Sequence, residues 1–121
     1  MPDADLIAEL EAALAFPHTA MIIRGSGIIA EIRGPLALRR GSDWLTIGED
    51  GGTHVHLRAA DIARCRLAVA ESANIQLEVL DPAGAALCKV SFRNTNRTKA
   101  ERFDAEHSAR VQARFGHLQA Q

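Results

Sequence analysis

Ile75-Gln76-Leu77-Glu78-Val79-Leu80-Asp81-Pro82-Ala83-Gly84-Ala85-Ala86-Leu87-Cys88-Lys89-Val90-Ser91-Phe92 is the stretch whose reading decides the fold. Two aliphatic runs, Ile75 to Leu80 and Ala86 to Phe92, flank four turn-forming residues, so the stretch reads as a β-hairpin. Further out, Met21-Ile22-Ile23 and Ile28 to Ile32 are short β-branched runs parted by Gly25-Ser26-Gly27. Gly34-Pro35 and Gly41-Ser42 punctuate the chain between Ile32 and the run Trp44-Leu45-Thr46-Ile47. Glu49-Asp50-Gly51-Gly52 is a turn signal, and Thr53 to Leu57 alternates behind it. Residues 19–92 therefore predict about seven short strands in an antiparallel sheet, with one helical turn over Ala59-Ala60-Asp61-Ile62-Ala63.

Helical spacing brackets the sheet. Leu6, Ile7, Leu10, Ala13 and Leu14 form a stripe within residues 1–17, with Asp3 or Asp5 as cap and Pro17 as stop. Thr98-Lys99-Ala100-Glu101 has the form of a capping box opening a C-terminal helix over 98–119. Its stripe of Phe103, His107, Val111, Phe115 and Leu118 is expected to cover one face of the sheet. His107 on that stripe reads as a satisfied core residue. The expected class is α+β: one domain over 1–121, with a short N-terminal and a longer C-terminal helix on an antiparallel sheet.

Composition narrows the functions. The 121 residues are 47% hydrophobic and 24% charged, ordinary for a globular domain of this length. A net charge of -1 argues against nucleic-acid binding through bulk electrostatics. With no Tyr, one Trp and four Phe, there is no stacking platform for single strands. Only Lys89 and Lys99 of the 14 basic residues are lysines, and arginine is the better partner for planar carboxylates. Cys65 and Cys88 are too far apart for a metal or redox motif and read as free, half-buried thiols of a reducing compartment. No apolar run approaches the ~20 residues of a membrane span, and Met1-Pro2-Asp3-Ala4-Asp5 has no signal-peptide character. The expected setting is the cytoplasm, without a membrane partner.

Few residues carry obvious chemistry. In Thr53-His54-Val55-His56-Leu57-Arg58, His54 and His56 share a strand face about 7 Å apart, while Val55 and Leu57 face the core. Such a pair can chelate a transition metal, yet no third ligand stands at a recognisable spacing, and two surface histidines are the plainer reading. Arg24-Gly25-Ser26-Gly27 lacks the third glycine and the helix of a phosphate loop and reads as a strand reversal. Arg39-Arg40 offers two guanidiniums to a carboxylate ligand, or to solvent. No nucleophile–base motif is present, so no catalytic residue is assigned.

In order, these pieces resemble the cytosolic haem-utilisation family, the HemS/HutX/ChuX-like haem carriers. The resemblance runs from Thr19 to the last helix. It rests on Ile28-Ile29-Ala30-Glu31-Ile32-Arg33-Gly34-Pro35-Leu36, Trp44-Leu45-Thr46-Ile47, His56-Leu57-Arg58-Ala59-Ala60-Asp61-Ile62 and Leu77-Glu78-Val79-Leu80-Asp81-Pro82-Ala83-Gly84. It implies a single haem-binding module, often a homodimer, that carries or stores haem during iron utilisation and exchanges it with a haem-delivering or haem-degrading protein. The family's "H-L-R" histidine falls on His56, making it the implied haem-iron ligand, with His54 the weaker alternative. The family's other haem-facing histidine falls on Arg24, a departure, because a guanidinium stays protonated and is a poor iron ligand. Arg24, Arg39 and Arg40 are the implied partners of the haem's second face or its propionates. A second departure is the N-terminal region, shorter than in single-module carriers. A haem-degrading enzyme of the same family, and a dimeric interaction module that has lost haem, are the alternatives. His18 precedes the expected sheet and His107 and His117 lie in the expected C-terminal helix, so these three are the controls for the histidine assignment.

Overall fold

The computed structural model describes residues 4–49 and 51–119. Asp3, the side chain of Asp5, and Asp50 of the expected turn lie outside the described residues. Helix α1 spans Ala4–Ala15 and is followed by β1 (Thr19–Gly25), β2 (Ile28–Arg33), β3 (Leu38–Arg40), β4 (Trp44–Gly48) and β5 (His54–Arg58). A 3₁₀ turn at Ala59–Asp61 leads into β6 (Arg64–Ala68), β7 (Ile75–Leu80) and β8 (Ala86–Phe92), and α2 (Ala105–Phe115) closes the chain with a 3₁₀ turn at Gly116–Leu118. The described residues thus hold eight strands rather than seven. The additional one is β3, three residues long and hidden in the sequence between Gly34-Pro35 and Gly41-Ser42. All pairs are antiparallel, in a five-stranded sheet ordered β2-β1-β8-β7-β6 and a three-stranded sheet ordered β3-β4-β5.

The expected hairpin is β7–β8. Asp81 Oδ1 accepts hydrogen bonds from the Ala83 and Ala85 amides, both at 2.9 Å, and Gly84 takes a φ of +86° that a side chain would resist. Gly25-Ser26-Gly27 likewise reverses β1 into β2, with Gly25 paired to Ile28. Strand alternation then sorts the faces. Ile32, Met21, Val90, Leu77 and Leu67 stand in register across all five strands and belong to the core. The next row, Glu31, Ile22, Lys89, Glu78 and Arg66, lies on the outer face, where Glu78 accepts from Arg66 Nε at 2.8 Å and sits 3.6 Å from Lys89 Nζ.

Helix α1 supplies Leu10, Ala13 and Leu14, all fully buried, to the inner face, and Leu38, Leu45 and Ile47 of the smaller sheet join the same core. Truncating a fully enclosed side chain such as Leu77 to alanine costs about 2–5 kcal/mol. The helix lying along the sheet is therefore α1, which corrects the expectation that the C-terminal helix would cover it. Helix α2 instead docks at one end, where Phe115 stacks on Phe92 at 5.3 Å and meets Phe16 edge-on at 5.4 Å. Glu9 of α1 ties the two ends together by accepting from Arg114 at 2.7 Å and contacting His117. Burial would raise the Glu9 carboxyl, but these two partners outweigh it and hold it below the usual carboxylate value.

The C-terminal helix also begins later than residue 98. Thr98 spends both its amide and its hydroxyl on Asn96 Oδ1, at 2.9 and 2.6 Å, so no capping box forms. Asp104 is the cap, accepting from the His107 amide at 3.0 Å, and Phe103 stands ahead of the helix. His107 is a core residue as expected, but an unsatisfied one: its Nε2 is buried without a partner, its ring 5.1 Å from that of His18. Both cysteines are free and fully buried rather than half-buried, and burial pushes Cys65 up to about 11 and Cys88 to about 12.

Melting and thiol labelling both probe this core. Burial, then the neighbouring His18, lowers the His107 pKa below 6.5, so the fold prefers the neutral ring. Stability is then complete above pH 6.5 and falls as the pH drops through that value, because the unfolded chain gains the proton first. Thermal melts from pH 7.5 to 5 check this: His107→Phe is expected to flatten the acid side of the profile, and an equally steep loss in that variant would refute the assignment. For the thiols, a disulfide-exchange reagent is expected to modify neither cysteine in the native protein and both after unfolding in guanidinium. Rapid native labelling would contradict their burial.

Candidate functional site

Strand register builds the site. Arg39 pairs with Thr46, and Thr46 with His56, so these three side chains stand in one row across β3, β4 and β5 on the outer face of the small sheet. The opposite face carries Leu45 and Leu57, which seat the strands on the core. Thr46 Oγ1 lies 3.2 Å from His56 Nδ1, a contact that orients the ring and leaves Nε2 without a protein partner among the described residues. In the adjacent pair, Trp44 faces Arg58, whose guanidinium sits 4.8 Å from the indole centroid. Trp44 remains 45% exposed, a large aromatic face turned to solvent. Arg39, Trp44, Thr46, His56 and the Gly41-Ser42-Asp43 turn enclose an open groove of about 430 Å³.

The other sequence-derived candidates divide around this groove. Arg40 sits on the reverse face of β3, 3.8 Å from Glu11 of α1, and lines a second groove of about 710 Å³ with Arg58 and Ile7. Trp44 and the 41–43 turn are shared by both grooves. His54 is paired with Gly48, and its ring centroid is 5.0 Å from that of His56, but it lines neither groove. Its Nδ1 is 2.7 Å from the Gly52 carbonyl, which can only accept, so Nδ1 carries the proton and Nε2 keeps the lone pair in the neutral ring. Gly48 makes this pairing feasible: its φ is +114°, and an added Cβ would come 2.4 Å from the Thr53 oxygen.

Arg24 is elsewhere. It borders a separate hollow of about 390 Å³ at the β1–β2 hairpin, beside Ile28 and Ile29, which are 67% and 60% exposed. One protomer therefore does not bring Arg24 and His56 into a common cavity. Arg58, Thr46 and the face of Trp44 carry no sequence signal of their own, although pairing Trp44-Leu45-Thr46-Ile47 against Val55-His56-Leu57-Arg58 in a hairpin would place them beside His56. Among the described residues no cluster of three His, Cys, Asp or Glu side chains is arranged to hold a metal ion. Among those residues, too, no helix is long and apolar enough to cross a membrane.

The groove can do two things chemically. It presents one imidazole nitrogen to a soft or borderline metal centre, and a flat aromatic wall beside the Arg39 guanidinium to a planar anionic ligand.

No family model matches the sequence, and no curated protein does. Among solved structures the fold is similar to ChuX, at a TM-score of 0.70 and 12% identity over 94% of this chain and 72% of that one. A second structure, of the haem-binding protein ChuX, gives 0.61 and 11% over 90% and 74%. Apo-PhuS, a haem-binding protein from Pseudomonas aeruginosa, gives 0.56 and 24% over 85% of this chain but only 34% of its own. Two sheets of five and three antiparallel strands, with a helix at each end of the chain, are thus an arrangement this sequence reaches at 11–24% identity. The chain has the α+β fold of ChuX, and that fold also matches about a third of PhuS.

Proposed function

We propose that this chain binds haem on the outer face of its three-stranded sheet, with His56 as the single axial ligand, and carries it within the cytoplasm. The observation that carries this reading is the row Arg39–Thr46–His56 beside the exposed face of Trp44. Haem is a flat apolar disc with two propionates, and it needs an iron ligand, an apolar wall and cations at the rim. The residues present fit those needs on one side. His56 Nε2 is uncommitted among the described residues, Trp44 supplies the wall, and Arg39 brings a guanidinium to the groove, while Arg40 and Arg58 line the neighbouring groove that shares Trp44. Bound haem supplies an iron centre for imidazole ligation, and the residues around it orient, neutralise and shield the disc. ChuX and PhuS, with the same fold, are haem-binding proteins, which supports the same cargo here.

The groove is open, so the second face of the disc needs another cover. We propose a homodimer for this role. Strand β2 is an edge of the large sheet, and its two exposed isoleucines with Arg24 offer an apolar, cationic surface to a second copy. Arg24 reaches a haem only across such an interface, against its second face or a propionate.

Titration with haemin, read at the Soret band, tests the ligand. His56→Ala is expected to weaken binding at least about tenfold, equal to ~1.4 kcal/mol, and to change the band position, while His54→Ala changes both little. Loss of the signal in His54→Ala with His56→Ala intact would overturn the assignment. Arg24→His is expected to move the spectrum toward bis-histidine character, and an unchanged spectrum would show that residue 24 does not approach the iron. Light scattering of the haemin-loaded protein is expected to give about twice the 13.0 kDa of one chain, and Ile29→Lys to return it to one. A single-chain mass with and without haemin would end the dimer proposal.

A further inference from the structure

We propose that His54 and His56 together hold a divalent transition-metal ion of the zinc class, a site that stands independently of the haem reading and gives His54 a role that reading leaves it without. On β5 the two residues are separated by Val55, which packs against the core, so both imidazoles project from the outer face of the small sheet. Their ring centroids are 5.0 Å apart and their planes cross at 68°.

Each ring is held at the nitrogen it does not need for a metal. His54 Nδ1 donates to the Gly52 carbonyl at 2.7 Å, and His56 Nδ1 lies 3.2 Å from Thr46 Oγ1. The anchors are on different elements, one in the turn between β4 and β5 and the other across the ladder on β4. Neither Nε2 has a hydrogen-bond partner among the described residues, so two lone pairs remain for one ion. Metal-bound histidines are held in this way: the second ring nitrogen bonds to a carbonyl or another oxygen, which fixes the tautomer and the direction of the ring.

The separation suits a shared ion. Zinc sits about 2.0–2.1 Å from an imidazole nitrogen and hence about 3.2 Å from the ring centre. Two ring centres 5.0 Å apart at that distance subtend about 103° at the metal, nearer the ~109° of a tetrahedral ion than the ~90° of a square-planar one. The residue paired with His54 on β4 is Gly48, so that position puts no side chain against the ring. Glu49 Oε2 stands over the Gly52 backbone, 3.0 Å from where an added Cβ would lie, and gives this end of the hairpin a negative charge, away from Arg58 at the other end. Among the described residues no third His, Cys, Asp or Glu joins the pair. The ion therefore keeps positions for water or an outside donor, the open coordination of an exchanging site and not the closed shell of a structural one.

Calorimetric titration of the full chain with zinc chloride, in a buffer that does not bind metal, tests the site. One saturable ion per chain with a dissociation constant below about 0.1 mM is expected, weakened at least about tenfold in His54→Ala and likewise in His56→Ala. Thr46→Ala removes the anchor of His56 Nδ1 and is expected to weaken zinc about tenfold with both ligands still in place. All three side chains lie outside the core, so each variant is expected to retain the circular dichroism of the wild-type chain. Magnesium chloride, whose ion takes oxygen ligands, is expected to give no saturable heat. No saturable zinc binding in the wild-type chain, unchanged affinity in His54→Ala or His56→Ala, or equal binding of magnesium would each overturn the site. Unchanged affinity in Thr46→Ala would overturn the positioning role of Thr46.

Discussion

Everything on the two surfaces of this protein depends on the apolar row Ile32–Met21–Val90–Leu77–Leu67 pressed against α1. Side chains alternate strictly along a strand, so fixing that row inward fixes what points outward on every strand of the large sheet. A one-residue slip would bury Lys89 and Glu78 and expel Val90 and Leu77, at the cost of both an apolar row and two unsolvated charges. Leu45 and Leu57 impose the same discipline on the small sheet. The outward sets are then dictated: Arg39, Thr46 and His56 on one, Arg33, Ser91 and Gln76 on the other.

The two outward faces differ chemically. The small sheet carries an imidazole, an exposed indole and guanidiniums held at its rim, a surface suited to a flat, partly apolar ligand with a metal centre. The large sheet carries amides, a serine hydroxyl and cations outside any ion pair among the described residues. Glu9, bridging α1 to Arg114 and His117, holds the ends of the chain together without entering either surface.

The sequence is most legible where local chemistry and the global fold agree. Asp81-Pro82-Ala83-Gly84 announces its hairpin because aspartate and glycine each have a specific role in the turn. His54 and His56 announce a shared face because strand period is invariant. β3 is silent in the sequence because three residues carry no periodicity, and the start of α2 is misleading because the Thr98 side chain has a nearer partner in Asn96 than the helix amides. Arg24 and His56 cannot be related from sequence, since their separation is set by how the two sheets pack. Thr46 and Arg58 are hidden for a different reason: their roles come from cross-strand pairing, which sequence order conceals. The large-sheet cavity is scattered from residue 20 to residue 102, and only the register gathers it.

The row Arg39–Thr46–His56 and the face of Trp44, as the proposed seat of a planar iron-bearing ligand, are tested most directly by a crystal structure of the haemin-loaded protein. The expected result is a porphyrin lying against Trp44 with its iron bonded to His56 Nε2. Iron bonded to any other histidine, or a porphyrin seated away from the small sheet, would contradict it.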